Sequence, residues 1–436
     1  MKLWLDVDDL FYFAERSARP TGIQRLTGEV YAALMEVDPG RIGFVRHGEP
    51  PGNFRVVNWS EVHQVYTAMT TGAVGKLGSQ KAGGPEETAI SQARSLPAYL
   101  RLLRQLFSRQ VEPSAAPSPS MSPGTPGHSL TSDLRAHVKP GDVFCSLGAP
   151  WHNEAYANHV SQLVSDTGVR FAMLVHDLIP LLCPEFFEAG RAPHFGKLMM
   201  ETLPLADVLL TNSQSTARDV SRWAKMQGIA LKCEPHHVPV GAGFARPPAG
   251  PLPPGLEPGS FVLFVSTIEI RKNHLQAFRV WCRMLHEMPR DSVPTLVFAG
   301  AVGWMVGDLM KAIESTNRLD GKLVLIHEPD DATLCALYQA CRFTLFMSHY
   351  EGWGLPVSDS LAFRKICIAS NKTAIPEAGG DFCPYVDPDN TTGAYELIRQ
   401  LIENPNELMR LEERLRTQYK PVLWSTTARA VIEAVS

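Results

Sequence analysis

Residues 343–363 read FTLFMSHYEGWGLPVSDSLAF and join an apolar run, a glycine-containing loop and a helix-spaced segment. The run FTLFM is typical of a strand that is buried on both faces. Pro356 suits the first turn of a helix, where the missing N–H costs little. The stretch therefore predicts a strand, a glycine loop and a helix, and the N-terminus of such a helix is an anion site.

Two carboxylates, Glu351 and Asp359, lie on either side of this glycine loop. Gly352 and Gly354 allow the backbone to approach a ligand closely, and a phosphate is the expected anion. Carboxylates accept strongly from sugar hydroxyls. The order therefore suits a nucleotide sugar, with Glu351 on the sugar, amides on the diphosphate and Asp359 on the ribose. The stretch alone leaves a second interpretation open, a buried turn with a capping acid.

Short apolar runs alternate with helix-spaced segments, such as 273–288 and 332–341, along most of the chain. This alternation predicts βαβ units and a parallel sheet in each half. A proline- and glycine-rich linker, residues 245–259, separates the halves. We expect two doubly wound α/β domains with a ligand cleft beyond the carboxyl ends of their strands. The predicted strands are LWLDV, VFCSL, RFAMLV and DVLL in the first half, and FVLFV, TLVFAG, KLVLI, FTLFM and ICIA in the second.

The composition narrows the class of protein and its partners. A chain of 436 residues is too long for one ordinary core, which favours two domains. The net charge of −4 gives no reason to expect a nucleic-acid partner. Eight cysteines without a C-x-x-C pair indicate reduced thiols, and the early acidic residues do not fit a signal peptide. These features predict a cytoplasmic protein.

One segment, at about residues 68–130, lacks the alternation. It ends in a proline- and serine-rich tract, residues 112–127, that is predicted to be disordered. Residues 96–110, LPAYLRLLRQLFSRQ, form a basic amphipathic helix candidate. Two hypotheses stay open for it: packing on the N-terminal domain, or peripheral contact with the anionic inner face of the plasma membrane.

The motifs, taken together, resemble those of retaining glycosyltransferases of family 4. EGWGLPVSDSLA is similar to the E-x7-E signature of that family, with Asp359 at the second acid. The resemblance covers the chain outside 48–135 and is strongest to members that build bacterial surface polysaccharides, often mannosyltransferases. Further matching segments are RPTGIQR (19–25), LVHDLIPLLCPE (174–185), LLTNSQSTARD (209–219), FVSTIEIRKNH (264–274), FAGAVGW (298–304) and SNKTAIPEAGGDFCPYVDPDN (370–390).

The resemblance implies a GT-B fold, in which two Rossmann-like doubly wound domains face each other across a cleft. Residues 1–245 would form the acceptor-side domain with the low-complexity insertion, and 258–415 the nucleotide-sugar domain. Residues 416–436 would form a helix that crosses back to the first domain. The implied reaction transfers a hexose with retention, from GDP-mannose before UDP-hexoses or deoxysugar nucleotides, to a glycan or lipid-linked glycan acceptor. It requires no metal ion and no cofactor.

Catalytic roles follow from the resemblance at three positions. Lys272 resembles the lysine that grips the donor diphosphate, and a point-charge ammonium fits that task. Glu351 resembles the acid that holds the donor sugar. His176 resembles the histidine near the reacting sugar, and Asp177 beside it is expected to orient the loop or to contact the acceptor.

Other residues of the predicted donor site are less typical of the family. Asp359 is one methylene shorter than the usual glutamate, and Thr267 lies where many members carry an arginine. Arg271, or Arg25 from the opposite domain, would then supply that charge. Gly22 would let a phosphate or acceptor approach, and Glu377 is expected to be structural. The donor-binding loop is Glu351, Gly352, Trp353, Gly354 and Leu355.

Two alternatives compete with this interpretation. The N-terminal WLDVDDLFY resembles the first motif of the haloacid-dehalogenase phosphatases, in which two aspartates flank a metal. Asp6 and Asp8 also mimic the metal-binding D-x-D of the other glycosyltransferase fold. A catalytically dead module that binds a glycan or nucleotide sugar is the second alternative, and a transfer assay would distinguish it.

Overall fold

The computed structural model describes residues 1–17, 19–48, 50–71, 133–244 and 250–436. These residues form two open sheets with helices on both faces. The helix candidate at 96–110 and the tract at 112–127 lie outside the described residues. Within the described ranges, none of the helices combines the length and the apolar character needed to cross a membrane.

The first sheet has seven strands in the order β3-β2-β1-β4-β5-β6-β7. Neighbouring strands are parallel except β2 and β3, which pair in antiparallel fashion at one edge. The order reverses between β1 and β4, and such a switch point opens a crevice at the carboxyl ends of the strands. The strands are β1 Leu3–Asp6, β2 Ile42–His47, β3 Phe54–Val57, β4 Val143–Ser146, β5 Arg170–Val175, β6 Val208–Thr211 and β7 His236–His237.

The second sheet has six parallel strands in the order β10-β9-β8-β11-β12-β13. Counted within this domain, the order is 3-2-1-4-5-6, which is the Rossmann order, with its switch point between β8 and β11. The strands are β8 Phe261–Val265, β9 Thr295–Ala299, β10 Leu323–Ile326, β11 Thr344–Phe346, β12 Cys367–Ser370 and β13 Tyr385–Val386.

Helices cover both faces of each sheet. Those before the second sheet are α1 Asp8–Ala14, α2 Gly22–Val37, α3 Trp59–Thr71, α4 Tyr156–Thr167, α5 Ile179–Leu182, α6 Arg191–Thr202 and α7 Gln214–Gln227. Those that follow are α8 His274–Glu287, α9 Gly307–Ser315, the left-handed turn α10 Asn317–Asp320, α11 Asp331–Ala340, α12 Leu355–Ala362, α13 Ile375–Gly379, α14 Thr391–Glu403, α15 Pro405–Gln418 and α16 Trp424–Val435.

The last helix, α16, packs on the first domain. Its apolar side chains, including Trp424 and Val431, join the core that β1, β2 and α2 form. The Trp424 indole N–H donates to the carbonyl of Gly243 at 3.0 Å, next to the end of the first domain. The C-terminal segment therefore connects the two domains by packing as well as by the chain itself.

Every apolar run that was predicted to be a strand coincides with one to within one residue at each end. Helices α8 and α11 correspond to the predicted helical stretches at 273–288 and 332–341. The predicted parallel sheet in each half is confirmed, and one edge strand, β3, is antiparallel to its neighbour β2. Helix α3 continues to Thr71, three residues beyond the start of about 68 that was predicted for the insertion.

Candidate active site

A cavity of about 400 Å³ lies between the domains, at the carboxyl ends of both sheets. This is the position that a switch point in each sheet favours. Among the predicted site residues, all except Arg25 and Asp359 line it: Gly22, His176, Thr267, Arg271, Lys272, Glu351, Gly352, Trp353, Gly354 and Leu355.

Glu351 accepts from two cationic side chains at the floor of this cavity. One carboxylate oxygen lies 2.6 Å from Lys272 Nζ, and the other lies 2.8 Å from an Arg271 guanidinium nitrogen. Arg271 also pairs with Glu269 at 2.6 Å. The loop after β8 and the loop after β11 thus place two cations and two carboxylates together.

Charge rather than burial decides the protonation of Glu351. Burial would raise its pKa, but Arg271 and Lys272 lower the pKa to about 2. Burial opposes the charge on Arg271 as well, yet Glu351, Glu269 and Asp177 raise the pKa of Arg271 above its ordinary value. Both side chains of the ion pair are therefore charged at neutral pH.

Two helix N-termini face the cavity. Helix α2 begins at Gly22 and α12 at Leu355, and neither N-cap residue makes a side-chain capping bond. Gly354, before α12, has a φ of 126°, in a region that favours glycine. Free N–H groups at such helix starts attract anions.

Gly352 lies at a close contact between the two domains, beside the cavity. A Cβ at this position would lie 2.0 Å from the carbonyl oxygen of His176 in the opposite domain. The Thr216 hydroxyl lies 3.3 Å from the Gly352 carbonyl and 3.4 Å from the His176 carbonyl. The absence of a side chain at Gly352 therefore allows the two domains to meet closely.

His176 is held in a fixed orientation and is neutral. Its Nε2 lies 2.8 Å from the carbonyl oxygen of Leu147, so this nitrogen carries the hydrogen and donates. Burial lowers the pKa of His176 to about 4. Next to it, burial raises the pKa of Asp177, whose carboxylate accepts from the Ile179 N–H at 3.0 Å.

Asp359 lies in an environment that differs from the predicted ribose site. Its side chain is 6% exposed, lies outside the residues that line the cavity, and accepts from the Gly243 N–H at 2.8 Å. Burial raises the pKa of Asp359 to about 6 against the effect of Arg25. In this structure the second acid of the motif contacts the end of the first domain.

Arg25 also lies away from the predicted diphosphate site. Its guanidinium forms two hydrogen bonds with Asp331, at 2.9 and 2.6 Å, and lies over the ring of Phe244. The Arg25 guanidinium, which was predicted to bind the donor diphosphate, thus forms an ion pair between the domains. Glu377 makes a further contact of this kind, because its carboxylate accepts from the N–H groups of Gln214 and Ser215 at 2.7 and 2.8 Å.

Sequence reasoning did not single out several residues that line the cavity. Asn212 follows β6 directly, Ser266 follows β8, and Trp304 lies in the loop after β9. Each belongs to a segment that resembles the family, and a rule that selects polar or aromatic residues just after a strand would have found them. Trp151 and Phe187 had no such signal, because Trp151 lies in a short 3-10 helix, Pro150–His152, and Phe187 follows another, Pro184–Phe186.

The N-terminal aspartates of the phosphatase alternative are engaged in hydrogen bonds outside the main cavity. Asp6 accepts from the Tyr156 hydroxyl at 3.0 Å. Asp8 lies 3.1 Å from His152 Nε2 and 3.3 Å from Arg46 Nε. Asp6 and Asp8 thus have protein partners in this structure.

Comparison with known proteins identifies relatives for both halves. Residues 255–418 match the family model described as "Glycosyl transferases group 1". The chain is 27% identical over 277 residues to the O-antigen chain mannosyltransferase B of Escherichia coli, covering 61% of this chain and 70% of that protein. It is 28% identical over 305 residues to a serotype-specific mannosyltransferase WbdA of Escherichia coli, covering 68% of this chain but only 37% of the relative.

Solved structures show the same fold at low sequence identity. Anabaena HepE in complex with UDP matches with a TM-score of 0.60 at 13% identity, over 100% of this chain and 99% of that one. The alpha,alpha-trehalose 6-phosphate synthase of Burkholderia multivorans matches with a TM-score of 0.52 at 14% identity, over 69% and 73%. Residues 255–418 thus match a glycosyl transferases group 1 domain, the chain has the GT-B fold, and its sequence is similar to those of bacterial O-antigen mannosyltransferases.

Proposed function

We propose that the protein transfers a hexose, with retention at the anomeric carbon, from a nucleotide diphosphate sugar to a glycan or lipid-linked glycan during assembly of a cell-surface polysaccharide. GDP-mannose is the favoured donor, because the relatives are named as mannosyltransferases. The observation that carries the proposal is the pair of cations, Arg271 and Lys272, that Glu351 holds at the floor of the interdomain cavity.

The diphosphate of the donor would bind beside these cations. Lys272 supplies a point charge, and Arg271 supplies a planar group that matches phosphate oxygens. The N-termini of α2 and α12 add backbone N–H donors, which carry no formal charge. Side chains and backbone can therefore neutralise the diphosphate, and on this basis we propose that no metal ion is required.

The donor sugar would lie between the diphosphate and the first domain. Glu351 is ionised and accepts from sugar hydroxyls. Asn212 of the first domain and Trp353 of the second also line the cavity. Both side chains carry groups that can form hydrogen bonds with substrate hydroxyls.

The reaction would break the bond between the anomeric carbon and the diphosphate oxygen. The electron pair stays with the diphosphate, whose growing negative charge Lys272 and Arg271 stabilise. The acceptor oxygen bonds to the same face of the anomeric carbon, and its proton passes to the departing phosphate oxygen. The Nε2–H of neutral His176 is already donated to the Leu147 carbonyl, which fixes the orientation of the ring. His176 would therefore act by positioning the sugar.

A binding screen followed by a product assay tests this function. Thermal unfolding is measured with GDP, UDP and ADP, and a ligand at 100 times its Kd is expected to add about 2.7 kcal/mol of stability. Turnover of GDP-mannose with a mannoside acceptor is then followed in EDTA, and NMR gives the anomeric configuration of the product. Loss of turnover that Mg²⁺ or Mn²⁺ restores, or an inverted product, contradicts the proposal.

A further inference from the structure

Thr373 has an unusual backbone conformation in the loop between β12 and α13. Its φ is 53°, in the left-handed region that L side chains rarely adopt. Among the described residues it is the one β-branched side chain with a positive φ, and branching at Cβ makes this conformation still less favourable. Strained backbone of this kind persists only where the surrounding structure holds it, and it is concentrated at functional sites.

The Thr373 side chain holds the backbone of Glu351. Its hydroxyl accepts from the Glu351 N–H at 2.9 Å and donates to the Glu351 carbonyl at 3.0 Å. A hydroxyl has one hydrogen and two lone pairs, so a single side chain can make both bonds together. Glu351 lies in the loop between β11 and α12, outside the strands and helices. Fixing both of its backbone polar groups fixes the direction of its Cα–Cβ bond and aims the carboxylate at Arg271 and Lys272.

Contacts on both sides of Thr373 anchor the chain. Just before it, Lys372 Nζ lies 2.6 Å from the Asp387 carboxylate in the same domain. Four residues after it, the Glu377 carboxylate accepts from the two N–H groups at the start of α7 in the opposite domain, at 2.7 and 2.8 Å. A negative charge is favourable at a helix N-terminus. The chain between Thr373 and Glu377 therefore connects Glu351 to the first domain.

We infer that Thr373 is a positioning residue for the proposed transfer: its hydroxyl aims Glu351 at the donor sugar, and the contact of Glu377 with α7 keeps Thr373 in its strained conformation while the domains are docked. The inference rests on the proposed function, because it takes Glu351 to be the group that contacts the donor sugar. It adds a physical link between the docking of the domains and that contact.

Substitutions at Thr373 separate the hydroxyl from the backbone strain. Thr373→Ser keeps the hydroxyl, Thr373→Val keeps the branched shape without it, and Thr373→Gly removes both the hydroxyl and the strain. Thr373→Ser should retain most of the parent kcat. The valine and glycine variants should each lower kcat at saturating donor by about tenfold or more, since a misplacement of about 1 Å can cost about 10²-fold. Thr417→Val, at an exposed threonine of α15 whose hydroxyl bonds within that helix, is the matched control.

The affinity for the nucleoside diphosphate of the donor distinguishes positioning from general damage. This ligand lacks the sugar, so calorimetry should show an affinity that is retained or raised in Thr373→Val and Thr373→Gly. Thr373→Val combined with Glu351→Gln should lose less kcat than the product of the two single losses, since both act on one contact. Full kcat in the valine and glycine variants, an equal loss in Thr373→Ser, or independent losses in the double variant overturns the inference.

Glu377→Ala tests the link to the opposite domain. It should lower kcat in the parent but have little further effect in Thr373→Gly, because glycine needs no support to adopt a positive φ. An unchanged kcat in Glu377→Ala would show that docking does not act through Thr373.

Crystal structures of the parent and of Thr373→Gly provide a measurement that needs no turnover. The contact of 2.6 Å between Glu351 and Lys272 should be present in the parent and lost in the variant. The same contact in both structures overturns the inference. Absence of turnover with every nucleotide sugar contradicts the proposed function instead.

Discussion

Glu351 forms ion pairs with the same two cations that the proposed function assigns to the donor diphosphate. Its carboxylate balances Arg271 and Lys272 inside a largely buried site, where an unpaired charge would be costly. A diphosphate beside these cations would compete with the carboxylate for them. The ion pairs therefore preorganise the cations while leaving them able to exchange partners.

The charge of Lys272 is expected to matter most as the bond to the diphosphate breaks. Lys272→Ala should lower kcat/KM by about 10²-fold or more, because an electrostatic contact to the leaving group is lost. Lys272→Arg should restore part of the rate, since it keeps the charge but changes its geometry. Lys232→Ala, at a surface lysine paired with Asp207, is the matched control. An unchanged rate in Lys272→Ala would remove this residue from the mechanism.

Glu351→Gln should separate sugar contact from diphosphate binding. The pKa of Glu351 is about 2, so this substitution removes a charge at any working pH. Poorer orientation of the sugar is expected to lower kcat by about 10²-fold. The affinity for GDP should be retained or raised, because the competing carboxylate no longer neutralises the two cations. Calorimetry with GDP checks the second outcome, and weaker GDP binding would show that Glu351 supports the diphosphate site itself.

Asp359 should make stability depend on pH. Its pKa is raised to about 6 in the folded protein, so its contribution to stability is present below its ordinary pKa and is lost as pH rises through 6. Asp359→Asn removes this loss, and the variant should gain about 1 kcal/mol relative to the parent between pH 5 and pH 8. Thermal unfolding of both proteins at the two pH values measures the difference. A difference that does not change with pH would mean that Asp359 titrates normally.

At the scale of elements, the loop between β11 and α12 is shaped by its contact with the opposite domain. Gly352→Ala would place a methyl group 2.0 Å from the His176 carbonyl. Neither backbone can yield easily, so the loop must move away from His176, and a shift of about 1 Å is enough to lower kcat/KM by about 10²-fold. Gly307→Ala is the control, because a Cβ at this position meets nothing within 4 Å. Equal activity of the two variants would show that the contact between the loop and His176 is dispensable.

The elements could be predicted from the sequence to the extent that their signal is local. Runs such as FVLFV are buried on both faces and are therefore continuously apolar, which identified the central strands. The edge strands β3 and β7 of the first sheet gave no such signal, because β3 reads FRVV and β7 reads only HH. The edge strand β10 of the second sheet reads LVLI and was predicted. The helix spacing of α8 and α11 was equally local, and both helices were found.

The composition of the site was predictable, but the partners of two of its residues were not. Motif positions placed Lys272 and Glu351 in one cavity, because strand ends of one sheet meet at one edge. The partner of Asp359 is 116 residues away and that of Arg25 is 306 residues away. The hydrophobic periodicity of the sequence does not predict such contacts, since they depend on how the two domains dock.

At the scale of the whole molecule, contacts between the domains surround the cavity. The Trp304 indole N–H donates to the Phe186 carbonyl at 2.7 Å, and Arg19 Nε donates to the Glu328 carbonyl at 3.1 Å. The proposed reaction needs both sides, since His176 belongs to one domain and Lys272 to the other. Docking of the two domains therefore assembles the site, as closure of loops or domains around a substrate does in other enzymes.

The ion pair between Arg25 and Asp331 should be the strongest of these contacts, because both side chains are only 11% exposed. Arg25→Met keeps the apolar stem over Phe244 and removes the charge, and Asp331→Asn removes the opposite charge. Each variant should lower kcat/KM about tenfold or more, because breaking a buried pair leaves an uncompensated charge between the domains. The double variant should lose less than the product of the two single losses, since the residues act as a unit. GDP affinity should change little, because the proposed nucleotide site lies mainly in the second domain. Independent losses in the cycle, or an equal fall in GDP affinity, would show that this ion pair does not control the docking of the domains.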